Sequence, residues 1–187
     1  MTENANIRSY IGQIFREMME SDESSTFIRC RFEDCSMTQE GALVVDGMNE
    51  LYVDKVYFCR CSSKTQSGGL KKKNGKMALK CSVFDECHGE GGNDNMLGTA
   101  MGSTSSDDMI EDVTFVRSWK DTKPYTDHVY GLYKGTADVR GINSTQCASQ
   151  YGGLTGGFHT VGKGHLSDTS WEHKEERPMQ LTYSKQN

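Results

Sequence analysis

No apolar run in this 187-residue chain approaches the ~20 residues that a bilayer-spanning helix needs. The first residues, Met1-Thr2-Glu3-Asn4, supply neither a basic segment nor an apolar stretch of the kind that opens a secretory signal. These absences argue against a membrane-spanning chain or a conventional secretory precursor. Concentrated positive charge is also missing. The formal charge is −5, and the only basic run is Lys71-Lys72-Lys73. Duplex nucleic acid is a disfavoured partner on that count, because phosphate binding gathers many cations on one face. Proline is scarce, at two residues against twenty glycines, and mean hydropathy is −0.67. The balance fits one ordinary polar domain.

The familiar catalytic signatures are lacking as well. There is no Gly-x-Ser-x-Gly elbow and no His-Glu-x-x-His pair. Gly157-Phe158-His159-Thr160-Val161-Gly162-Lys163-Gly164 matches a phosphate-binding loop up to its last position, where Gly164 stands in place of the magnesium-binding Ser or Thr. A glycine-rich β-segment explains it better. His159 and His165 are separated by Gly162-Lys163-Gly164, which disfavours a joint metal site. Cys147 has no partner histidine that spacing singles out, and Asp107-Asp108 and Glu175-Glu176 read as solvated charge. The sequence thus assigns no catalytic residue, and an enzyme is the less favoured class.

What is present begins with cysteine. Six of the seven cysteines fall between Cys30 and Cys87. Their share is below that of disulfide scaffolds, so reduced thiols are the first reading, with three bridges or a zinc site as alternatives. Zinc candidates are Cys30, Cys35, Cys59, Cys61, Cys81, Cys87 and His88. Only Cys30-x4-Cys35 has the spacing of a zinc-binding pair. The expected setting is cytoplasmic or virion-associated, with secretion left open.

Ile7, Tyr10, Ile11, Ile14, Phe15, Met18 and Met19 recur at i, i+3, i+4, i+7, i+8, i+11 and i+12, the stripe of an amphipathic helix. A polar linker, Glu20 to Ser25, ends it. From Phe27 the period falls to two and the segments shorten, which predicts antiparallel strands. Expected strands include Ala42 to Val45, Leu51 to Cys61, Val113 to Trp119 and Val129 to Lys134. A hairpin is expected around Asn74-Gly75, whose residues accept the positive φ of a type I′ turn. The Gly- and Ser-rich stretch 87–108 predicts a long flexible loop. No convincing internal repeat is apparent.

The expected fold is therefore α+β and mainly β: an N-terminal amphipathic helix and linker over 1–25, then an antiparallel β-barrel or β-sandwich over 26–187. The expected function is non-catalytic, as a subunit of a homo-oligomeric or larger assembly, viral or phage-like ones included, with the helix as its association arm. The expected partner is a further copy or another protein. Two alternatives stand beside it. One is a lipocalin-like barrel whose ligand would be lined by Tyr57, Phe115, Tyr130, Tyr133 and Phe158. The other is a zinc-containing interaction module.

Overall fold

The computed structural model describes residues 7–38, 40–64, 67–89, 100–118, 128–145, 157–160, 163–167 and 170–172. Among these residues there is no helix, and every strand pairing is parallel. Both structural expectations are corrected: the N-terminal helix is absent, and the sheets are parallel rather than antiparallel.

The chain winds as a β-solenoid, each coil laying its strands beside those of the coil before. One sheet runs through Ile7–Ile11, Ser24–Ile28, Glu50–Asp54, Leu70–Lys80, Met101–Glu111 and His128–Arg140. A second runs through Ile14–Phe15, Arg31–Glu33, Tyr57–Cys59, Val83–Asp85, Thr114–Val116, Asn143–Thr145 and Ser170–Glu172. A third, shorter sheet joins Ser36–Met37, Ser62–Ser63 and His88–Gly89. Parallel pairing follows from the winding, since each coil returns to the same side travelling in the same direction.

Corners are made by single residues in the left-handed conformation. Gly12, Arg29, Lys55, Cys81, Asp112 and Gly141 occupy one corner with φ of 46–64°, and Asp34, Arg60, Glu86 and Arg117 the next with φ of 45–56°. That conformation costs a non-glycine residue about 1–2 kcal/mol. The corner amides offset it by extending the hydrogen-bond ladder around the bend. Arg29 N–H donates to the Asp54 carbonyl at 3.0 Å, Lys55 to Lys80 at 3.1 Å, Asp34 to Cys59 at 3.0 Å and Arg60 to Asp85 at 2.8 Å.

The core is a set of side-chain columns. Phe15, Phe32, Phe58, Phe84 and Phe115 stack along the second sheet, with centroids 4.6–5.2 Å apart. Their numbers give the coil lengths: 17, then 26, 26 and 31 residues. Phe27, Val53, Leu79, Ile110 and Val139 form a second buried column under the first sheet. The internal repeat that the sequence seemed to lack is therefore there, as one coil per repeat. In such arrays each coil is supported mainly by its two neighbours.

Several local expectations change with this architecture. Asn74 and Gly75 do have positive φ, 60° and 76°, but they bend one strand around a corner and reverse nothing. A Cβ on Gly75 would lie 2.5 Å from the Asn49 carbonyl oxygen, so only glycine fits. Leu51 to Cys61 is two strands joined through Lys55-Val56. Part of the expected loop 87–108 is strand, at His88–Gly89 and Met101–Glu111, and its residues 90–99 lie outside the described ones.

Candidate association edge and the buried polar seam

The expected association stripe divides into two faces. Tyr10, Phe15 and Met19 are partly buried and pack on the core: the Tyr10 ring stacks on Phe27 at 4.8 Å and the Phe15 ring on Phe32 at 4.7 Å. Ile7, Ile11, Ile14 and Met18 point outward and are 64, 64, 58 and 42% exposed. These four make up most of the exposed large apolar side chains among the described residues, the others being Met48, Tyr52 and Met109.

All four belong to the first coil, whose outer edge pairs with no other strand among the described residues. Ile7–Ile11 and Ile14–Phe15 are terminal strands of their sheets. Backbone groups alternate sides along a strand. The Gly12 N–H donates to the Ile28 carbonyl at 3.0 Å, so the even-numbered residues Arg8 and Tyr10 face the second coil. Ile7, Ser9 and Ile11 therefore aim their N–H and C=O groups away from the second coil, where no described residue meets them. On the inner side of this strand Arg8 pairs with Glu23 at 2.7 Å. That hydrogen bond and the nearby charge, with a further contribution from Tyr10, hold the guanidinium above its ordinary value.

The other chemically distinctive cluster is internal. Asp108 sits in the inner column Ser25, Leu51, Met77, Asp108, Ala137 and is 4% exposed. Its Oδ2 accepts from Ser103 Oγ and, at 2.6 Å, from Tyr130 O–H. Asp108 Oδ1 and Ser106 Oγ are buried without a hydrogen-bond partner. Burial pushes the Asp108 carboxyl up, against the opposing pull of Ser103, Tyr130, the neighbouring Ser106 and the Lys72 ammonium. Burial likewise raises the Tyr130 phenol, helped by Asp108. Lys72 is fully buried and donates to the carbonyls of Gly47 at 3.1 Å, Lys73 at 3.2 Å and Asn74. All three ammonium protons are thereby used on backbone. The same two columns hold a further hydroxyl pair in an earlier coil, Ser21–Ser25 at 2.9 Å, separated from this cluster by Val45 and Leu51.

The cysteines fall into separate places. Cys35, Cys61 and Cys87 stack as a buried column on the inner side of the second corner, and Ser118 takes the next rung. Cys61 Sγ reaches the Phe32 carbonyl at 3.6 Å, and Ser118 Oγ reaches the equivalent Phe84 carbonyl at 3.0 Å. The Cys61 hydrogen bond and then burial raise the Cys35 thiol. For Cys61 the Cys35 contact pulls down, but Cys87 and burial prevail and raise it. Cys30 lies at the first corner, its Sγ 3.3 Å from the Tyr10 carbonyl, while Cys59 contacts Arg60 at 3.2 Å and Cys81 is exposed. His88 Nδ1 is 3.3 Å from the Glu86 carbonyl. Among the described residues no three His, Cys, Asp or Glu side chains converge as a metal centre.

The proposed ligand-lining aromatics are not brought together. Tyr57 is on the outer face, bonded to Asp85 at 2.7 Å and covered by Arg31 at 5.0 Å. Phe115 and Tyr130 are buried in different columns. The side chains of Tyr133 and Phe158 lie outside the described residues, as do Cys147, His159 and His165. No helix among the described residues is long and apolar enough to cross a membrane.

The fold and the edge together define the class: a parallel β-solenoid whose first coil exposes apolar side chains along an outer edge without a partner among the described residues. Comparison with family models, curated proteins and solved structures finds no match for this chain.

Proposed function

We propose that the protein is a non-catalytic assembly subunit, a stiff solenoid that associates end-on through its first coil. The observation that carries this reading is that the exposed Ile7, Ile11 and Ile14 lie on strands whose outer edge has no partner among the described residues, with Met18 exposed beside them. Solenoid proteins ordinarily close their ends with a polar outer coil, and here the end coil sets four exposed large apolar side chains among its polar ones. A polar, charge-laced body supports the contrast. Asp34–Arg60, Arg117–Glu86, Lys80–Glu111 and Arg140–Glu111 ion pairs cover the flanks.

The test is native mass in solution, by light scattering over a range of concentrations, for the wild-type chain and an Ile7→Lys/Ile14→Lys variant. The wild type is expected to exceed monomer mass and the variant to fall to monomer with an unchanged circular-dichroism spectrum. A wild-type chain that remains monomeric throughout overturns the proposal.

A further inference from the structure

We infer that the occupant of this edge is the same strand of a second copy, Ile7–Ile11 pairing antiparallel with Ile7–Ile11 about a two-fold axis at Ser9. The inference rests on the end-on reading and names its partner.

The strand is self-complementary under that operation. Its outward residues read Ile7, Ser9, Ile11, symmetric about Ser9. Antiparallel pairing centred there sets Ile7 beside the partner's Ile11, Ser9 beside the partner's Ser9, and Ile11 beside the partner's Ile7. Apolar residues meet apolar residues at both ends. The backbone agrees with the side chains. Ile7, Ser9 and Ile11 are the residues whose N–H and C=O groups face the open edge, and in an antiparallel pair they become the hydrogen-bonded positions. Every outward amide and carbonyl of the strand then finds a partner.

The inner side also fits. Arg8 falls opposite the partner's Tyr10, which places a guanidinium beside an aromatic ring, as Arg31 already lies over Tyr57 within the body. Shifting the register by one residue sets isoleucine against arginine or tyrosine and loses the hydrogen-bonded alignment, so one register is favoured. An isologous contact uses the same patch on both copies and closes at two, which stops the apolar end from propagating into a fibre.

Hydrogen-bonded antiparallel partners have Cα atoms about 5.5 Å apart, within the roughly 4.4–6.8 Å that a disulfide spans. The test therefore places cysteine on the axis, as Ser9→Cys in a Cys81→Ser background, since Cys81 is the exposed thiol among Cys30 to Cys87. The control is Thr26→Cys in the same background. Thr26 pairs with Ser9 on one side and Tyr52 on the other, so its strand has no free edge. On mild oxidation Ser9→Cys is expected to yield a reducible dimer several-fold faster than Thr26→Cys, and adding Ile7→Lys/Ile11→Lys is expected to abolish it.

A native dimer in which Ser9→Cys crosslinks no faster than the control overturns the two-fold pairing and leaves end-on association standing. A mass that grows beyond the dimer with concentration also overturns it, because the contact would not close. A monomer overturns both readings. Circular dichroism of each variant confirms that the β-body is intact.

Discussion

Phe58 sits at the middle of the aromatic column, fully buried between Phe32 at 5.0 Å and Phe84 at 4.6 Å. Removing its ring takes packing from two coils at once. Phe58→Ala is expected to cost ~3–5 kcal/mol in urea unfolding, the usual range for a buried Phe, while the outward Tyr52→Ala costs far less. Asp108 makes a prediction of a different kind. Its folded carboxyl is raised above its unfolded value, so its contribution is most favourable at acid pH and is lost as pH rises toward the folded value. Of the other titratable groups facing it, the Tyr130 phenol is raised and keeps its proton over that range, while burial lowers the Lys72 ammonium. Asp108→Asn removes this loss, so its stability relative to wild type is expected to improve as pH is raised from about 4 to 7. A pH-independent difference would show that the carboxylate is ionised at no net cost. Iodoacetamide labelling of native protein, read by peptide mapping, is expected to reach Cys81 well before Cys35, Cys61 or Cys87. The sequence already offered these positions as a pattern: Phe32, Phe58 and Phe84, like Cys35, Cys61 and Cys87, recur at 26 residues. The repeat is faint in the sequence because the residues between the landmarks share little identity. Only the inward column is constrained, and its rungs interchange chemically, as Ser118 does for cysteine.

Coil elements are short, and their corners explain why the first one resembles a helix. Two strands meet at Gly12-Gln13, and the corner shifts the alternation, so inward Tyr10, Phe15 and Met19 interleave with outward Ile7, Ile11, Ile14 and Met18. The sum of two faces mimics a 3.6-residue stripe. Gly12, which lies between the stripe residues Ile11 and Ile14, turns this corner with φ of +64°. Asn74-Gly75 shows the reverse case, where the local conformation was legible and the consequence was not. Two left-handed residues close a hairpin only if the flanking strands pair with each other, and here each flank finds a better partner in a neighbouring coil. Glycine substitutions separate strain from space. Gly12→Ala is expected to cost about 1–2 kcal/mol, the left-handed penalty alone, since nothing lies within 4 Å of the added Cβ. Gly75→Ala is expected to cost more in the same unfolding assay, because its Cβ would meet the backbone of Met48 and Asn49. Equal losses would place Gly75 in open space and contradict the packed corner.

Across the whole molecule, the charged corners give the stack its vertical order. Asp34, Arg60, Glu86 and Arg117 alternate in sign from coil to coil, as do Asp54, Lys80, Glu111 and Arg140 on the first sheet. Arg60→Glu would place three acids in one column. It is expected to lower the unfolding midpoint, and added salt should recover part of the loss. Net composition hid this arrangement, because a balanced ladder and scattered surface charge give the same totals. Among the described residues the first coil combines exposed apolar side chains with a strand edge that lacks a partner. The most direct measurement is residue-resolved amide hydrogen exchange along Ile7–Ile11 as protein concentration is raised. The amides of Arg8 and Tyr10, which face the second coil, should be protected at every concentration. Those of Ser9 and Ile11, on the open edge, should be fast when dilute and become protected as the copies pair. Fast exchange at Ser9 and Ile11 at all concentrations would contradict end-on association through this edge.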